Sequence, residues 1–326
     1  MPPRRHGKPE PLFVKRCRVA NSQPFLDEQP IVGSPDRSWS RFRLPLLRKC
    51  PFDAKIEFGD ILGYGVDGAV WKVSIGGRPF ALKVFWDNKV PEGTCYYAIQ
   101  RECHNAALLQ MIQSAVEESN EPIYLNPDPK TRQDAVANLH AFSDEGRRRQ
   151  SFRDMPGSAQ YTSTPRLRQC FGWIQVNERE LFALPRRKRP PCHTVGNQVR
   201  ALQQGEDYYA IVYEFVTERA AAALATAADI QHQLDFFWLV GFCFVPVMHT
   251  EEWHKFGLFI DMSDLVCPWS AGWSDRIYRR FVVGDDSIVN VDGIDSSDDD
   301  GGEGNDSSII ARVPSPGTGR HGLVEE

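Results

Sequence analysis

A chain of 326 residues with 41% apolar and 11% aromatic side chains carries enough hydrophobic material for one large or two average domains, which excludes a wholly disordered protein. Its 23 prolines and 25 glycines nevertheless predict long irregular stretches. The net charge of -5 belongs to the C-terminus: residues 283–326 hold 11 acids and 2 bases, leaving 36 bases against 32 acids before them, too small an excess to argue for nucleic acid or acidic substrates by itself. The eight cysteines show no CxxC pair and no metal-ligand spacing, so reduced thiols are expected. The start, MPPRRHGKPEP, has no apolar run, so no secretory signal is expected and an intracellular, reducing compartment fits. The apolar stretch Phe236 to Met248 is too short for a membrane span and reads as a buried helix.

Residues 1–50 are rich in Pro, Arg and Ser without sustained periodicity, which predicts a basic, disordered, solvated arm, with folding starting near Pro51. Three strands joined by tight glycine turns are then expected at Ile56 to Gly63, Ala69 to Ile75 and Phe80 to Trp86, forming an antiparallel meander. Apolar residues recurring every three or four positions from Tyr97 through Leu108, Leu109 and Ile112 predict an amphipathic helix ending near Asn120. Residues 121–165 and 177–206 are polar and too long for ordinary connections, so they read as insertions. RLRQCFGWIQV and YYAIVYEFV supply two more strands. RAAAALATAADIQHQLDFFWLVGF supplies a long helix, and FGLFID a strand ending in a carboxylate. Residues 283–326 form an acidic low-complexity tail that cannot bury enough apolar surface to fold. The fold class expected is α+β.

Gly63-Tyr64-Gly65-Val66-Asp67-Gly68-Ala69-Val70 is GxGxxGxV, a pattern that is weak alone because tight turns often want glycine. A dinucleotide-binding loop would run from strand into helix. Here strands flank the motif on both sides, as in the hairpin that covers ATP phosphates in protein kinases, which it resembles. Ala81-Leu82-Lys83 falls on the third strand like a kinase VAIK lysine, and Glu102 follows 19 positions later in the helix, placed to pair with Lys83. Tyr209 to Val216 resembles the strand leading to an adenine-binding hinge, and Leu258 to Asp261 the strand presenting the metal-binding Asp of DFG. The resemblance thus implies nucleotide-binding candidates Gly63, Gly65, Gly68, Val70, Ala81, Lys83, Glu102 and Glu214, and Asp261 as metal candidate. On the structural alternative, the glycines only make turns and Lys83 snorkels from an edge strand.

Catalysis is where the pattern breaks. HRDLxxxN should lie about twenty residues before the DFG Asp, yet Leu239 to Met248 contains no carboxylate and no amide, with Cys243 near the expected base position. Glu251 and Glu252 lie too close to Asp261 for that role. With the two insertions set aside, about 155 residues remain of the domain over 51–282, against the roughly 250 that a two-lobed kinase implies. An abbreviated helical C-lobe follows.

The run from Pro51 through ILGYGVDGAVWKV, FALKVF, RECHNAALLQ, RLRQCFGW and EEWHKFGLFIDMSDLVCPW resembles the fungal kinetochore Sim-four complex subunit family of the Fta-two type. The resemblance covers about residues 51–270 and implies a truncated protein-kinase-like domain, an antiparallel-sheet N-lobe with one long helix, serving as a subunit of a nuclear complex. The expected function is therefore a catalytically inactive kinase-like interaction protein. The alternative is an atypical ATP-dependent phosphotransferase lacking the usual catalytic loop. If a cofactor is used, ATP with magnesium is the one implied.

Arg186, Arg187, Lys188 and Arg189 form a Pro-bounded basic cluster of the sort read by import receptors, with a plain solvated loop as the alternative. A nucleic-acid reading rests on this loop and the N-terminal arm by charge alone. His249 and His254 are spaced so as to point apart on a helix and are expected to be ordinary histidines. Trp253, Trp269 and Trp273 are expected in the core. Ser296, Ser297 and Ser315 have the flanking residues of phosphorylation sites, with tail solubility as the bland reading.

Overall fold

A computed structural model describes residues 11–92, 94–195, 198–218, 226–245, 253 and 255–283. The chain is mixed α and β. In order, the elements are α1 (Leu12–Asn21), β1 (Leu26–Pro30), α2 (Trp39–Arg43), β2 (Leu47–Lys49), β3 (Ile56–Tyr64), β4 (Gly68–Ile75), β5 (Arg78–Phe85), α3 (Ala98–Glu117) and β6 (Ile123–Leu125). There follow α4 (Arg132–His140), α5 (Asp144–Arg149), β7 (Ala159–Tyr161), β8 (Cys170–Val176), α6 (Glu178–Ala183), β9 (His193–Val195), β10 (Gln198–Arg200) and β11 (Tyr208–Glu214). The last are α7 (Ala227–Leu239), β12 (Cys243–Phe244) and β13 (Leu265–Val266).

Seven strands form one sheet in the order β1-β2-β8-β11-β5-β4-β3. The β3-β4-β5 meander and the β5-β11-β8 ladder are antiparallel, as the turn chemistry of the sequence leads one to expect. Period-two alternation divides their side chains cleanly between two cores. Ala81, Phe85, Ile211 and Tyr213 face α3, with Val70 packed beside them, whereas Trp71, Val73, Phe80, Leu82, Val84, Ala210 and Val212 fill the opposite face. Lys83, between Ala81 and Phe85 in that alternation, therefore falls on the α3 side.

The N-terminal segment corrects the sequence reading. Residues 11–50 are not a solvated arm: β1 and β2 extend the sheet in parallel, Cys50 N–H donates to Trp173 O at 2.9 Å, and Phe42 and Leu47 are fully buried. Gly172 makes this docking possible. At its φ of +103° a β-carbon would lie 2.5 Å from Arg48 O, so only glycine lets β2 approach β8. The segment then clasps α3, where the Gln100 amide donates to the carbonyls of Ala20, Asn21 and Gln23, and His104 Nε2–H to that of Pro24 at 3.2 Å. Cys17 and Cys95 are joined in a disulfide, contrary to the expectation of reduced thiols throughout; the other six cysteines are free.

Residues 121–165 also belong to the fold. Leu125, Leu139 and Phe142 are core residues, and the Asn138 amide donates to Leu239 O at 2.9 Å, tying α4 to the end of α7. From the second expected insertion, Leu181 is buried in the core on the other face of the sheet, with Leu184 and Leu202 packed against it. The described part of α7 opens on a capping box, Thr226 with Asp229, which ends the expected helix on its N-terminal side at Ala227; residues 219–225 lie outside the described residues. FGLFID is not a strand. Gln233 of α7 accepts from Phe259 N–H and donates to Gly257 O, replacing a strand partner, and pairing resumes only at β13 against β12. Trp253 and Trp273 are buried as expected, and Trp269, partly buried, donates its indole N–H to Phe42 O at 2.7 Å. Among the described residues no helix is long and apolar enough to cross a membrane.

Candidate functional site

Lys83, Glu102 and Asp261 come together in one place between β5, α3 and the turn before β13. Lys83 Nζ, on the α3 face of β5, is bonded to Glu102 Oε1 and lies 3.5 Å from Asp261 Oδ1. Glu102 is 1% exposed and Lys83 12%, so the pair is withdrawn from water. Tyr213, from β11, donates its hydroxyl to the second Glu102 oxygen at 3.0 Å. Burial alone would lower the Lys83 ammonium, but Asp261, Glu102 and Asp67 together hold it above its ordinary value. Burial pushes Glu102 up further than Lys83 brings it down, to about 7.

Asp261 is 28% exposed and caps the short 3₁₀ turn Met262–Asp264, accepting from Ser263 N–H at 3.0 Å and Ser263 Oγ at 2.7 Å. The turn is anchored to α3, because the Asn105 amide donates to the carbonyls of Met262 and Leu265. Thus the same helix positions both carboxylates, Glu102 through its own side chain and Asp261 through Asn105.

The glycine motif is the tip of the β3-β4 hairpin. Gly68 is architectural, since a β-carbon there would meet Val84 O at 2.1 Å; a β-carbon at Gly63 or Gly65 would have nothing within 4 Å. Val70 and Ala81 pack on the Lys83 side of the sheet. The tip is fastened by Trp86, whose backbone N–H donates to Asp67 O at 3.1 Å and whose indole N–H donates to Gly65 O at 2.8 Å.

Glu214, at the end of β11, is engaged within the protein. Arg166 grips its carboxylate with both terminal nitrogens, at 2.9 and 2.5 Å, and although burial would raise it, these bonds and Gln169 N–H hold it below the ordinary carboxylate value. Its backbone is occupied as well: Glu214 N–H donates to Gln169 O, and Glu214 O accepts from Arg168 Nε at 3.3 Å. Arg168 then reaches Ile260 O with Nη1 at 3.0 Å and stacks over Tyr213, so one buried guanidinium links β11 to the Asp261 segment. Sequence reasoning missed Arg168, Tyr213, Tyr96 and Asp67. Only Asp67 left a signal, an acid inside a loop expected to cover phosphates.

Cys243 offers no base, for it is fully buried in β12 and burial pushes its thiol up to about 12. Glu251, Glu252, His249, His254 and the tail serines lie outside the described residues. In the basic cluster, Lys188 is built into the sheet, its Nζ donating to Phe58 O at 2.6 Å and its carbonyl accepting from the Trp71 indole, while Arg186 and Arg187 are exposed. Among the described residues no group of three or more His, Cys, Asp or Glu side chains is arranged to hold a metal ion.

Lys83, Glu102 and Asp261 are disposed as a kinase-type nucleotide site would have them. The other end fits a nucleotide less well, because both backbone groups of Glu214 are already hydrogen-bonded within the protein. No known protein family matches the chain, and no curated protein or solved structure is significantly similar to it.

Proposed function

We propose that the chain is a catalytically inactive, protein-kinase-like interaction protein, serving as a subunit of a nuclear complex of the kinetochore kind that its sequence resembles. The observation that carries the reading is the missing base. Lys83, Glu102 and Asp261 come together as a kinase-like arrangement requires, but the window where HRDLxxxN belongs, Leu239 to Met248, has no carboxylate and no amide, and its Cys243 is a buried thiol. Phosphoryl transfer depends on a positioned nucleophile and on cations left over for the phosphates. The cluster here works instead as an anchor between sheet, helix and turn. Purified full-length protein with ATP and magnesium is expected to show no transfer to itself or to generic protein substrates above a Lys83→Ala control. Transfer abolished by Lys83→Ala or Asp261→Ala establishes the atypical phosphotransferase instead. The complex-subunit part is tested by chromatin immunoprecipitation of the tagged chain, and absence from centromeric chromatin removes it.

A further inference from the structure

We infer that Asp67 is the specificity-determining residue of the Lys83 cleft: from inside the glycine hairpin it supplies the anion that any phosphate-bearing ligand would have to displace. The inference rests on the reading just proposed and deepens it. A loop that cradles phosphates works because glycines expose backbone N–H groups without side chains or charge in the way. Gly63 and Gly65 keep that openness. Asp67 reverses it, placing a carboxylate that is only 8% exposed within the hairpin tip.

Two backbone contacts fix the hairpin tip and a third holds the carboxylate itself. Gly65 N–H closes the turn on Gly68 O at 2.9 Å, Trp86 pins the Asp67 carbonyl to the end of β5, and the Tyr96 hydroxyl donates to Asp67 Oδ2 at 2.7 Å. Tyr96 stands at the approach to α3, so the last bond ties the hairpin to the helix that carries Glu102. Lys83 feels Asp67 together with Asp261 and Glu102, and of these three carboxylates Asp67 is the one carried by the glycine hairpin, where it disfavours an incoming anion. At its far end the Glu214 and Ile260 carbonyls already accept from Arg168. Both the phosphate end and the polar groups of β11 are thus satisfied by the protein's own side chains.

The experiment uses the full chain as wild type, Asp67→Asn, Asp67→Ser and Asp67→Asn/Lys83→Ala, titrated calorimetrically with inorganic tripolyphosphate and with ATP, each with magnesium, and with adenosine as the uncharged control. Near-ultraviolet dichroism reports the fold, and Asp67→Ser replaces Asp67→Asn should the amide perturb it. Asp67→Asn is expected to bind tripolyphosphate and ATP about tenfold or more tightly than wild type. The gain should disappear in the double variant and shrink with added salt, while adenosine is unaffected. Wild-type affinity within about twofold of the variant, or no binding by either Asp67 variant, overturns the assignment. Phosphotransfer measured on the same samples separates this from the parent reading. Wild type that binds ATP within about twofold of Asp67→Asn without transferring phosphate defeats only Asp67's role, whereas an Asp67→Asn chain that binds more tightly and transfers phosphate upholds that role and defeats the inactive reading.

Discussion

Replacing Lys83 by Met tests whether the buried pair anchors the fold. The substitution keeps the apolar stem and deletes the charge, leaving Glu102, 1% exposed, to the Tyr213 hydroxyl, and removing the partner 3.5 Å from Asp261. Breaking a buried pair from one side costs about 3–5 kcal/mol; Tyr213 and the residual exposure of Asp261 place the expected loss near the lower end, about 3 kcal/mol at neutral pH. The loss must depend on pH with a definite sign. Glu102 is raised from an ordinary 4.5 to about 7 in the folded protein, so its contribution is fully present below about 4.5 and is lost as pH rises through its folded value. Without Lys83 that value climbs further, and each additional unit removes about 1.4 kcal/mol on the alkaline side. Urea unfolding of wild type and variant at pH 5 and pH 8 is the assay, read as the difference between the two proteins so that other titrations cancel. The variant should lie close to wild type at pH 5 and well below it at pH 8. Lys83→Met/Glu102→Gln, which removes both charges, should recover most of the pH 8 loss. A variant equal to wild type at both pH values, or equally destabilised at both, refutes the buried-pair reasoning.

Two further outcomes follow from the hairpin and the N-terminal segment. Gly68→Ala should lower stability by about 2 kcal/mol or more in urea melts because its β-carbon lands 2.1 Å from Val84 O, whereas Gly63→Ala and Gly65→Ala, with open space around them, should change it by less than about 1 kcal/mol; comparable losses at all three would show that the motif is uniformly architectural. The Cys17–Cys95 bond closes a loop of 78 residues, for which chain entropy sets a ceiling of about 4.5 kcal/mol, so a dithiol reductant should lower the melting temperature and raise amide exchange first in Leu12–Asn21; peptide mapping after thiol blocking that finds both cysteines free contradicts the bond.

Local patterning alone determined the meander, the long helix after it and the two strands beyond, because glycine turns and apolar periods of two and 3.6 act over a few residues. The Lys83–Glu102 pairing was legible through the resemblance to the kinase pattern, because the connection from Phe85 to Ala98 is too long for spacing alone to fix it. The parallel strands β1 and β2 were invisible to it. Their short runs carry no period, and their burial depends on a distant glycine, Gly172, that makes room for them. The same holds for residues 121–165, whose polar composition conceals Leu125, Leu139 and Phe142 as core and Asn138 as the tie to α7. FGLFID read as a strand because its apolar content suits one, yet Gln233 satisfies its backbone and moves the pairing to Leu265–Val266. What the cleft holds was decided only in three dimensions. Asp67 is 16 residues from Lys83 and Arg168 is 46 from Glu214, and nothing in spacing says that a carboxylate and a guanidinium will turn inward and use up the charges and carbonyls that the motif alone appears to offer a ligand. Such competition between internal and external partners is settled by burial and geometry, which residue order does not encode locally.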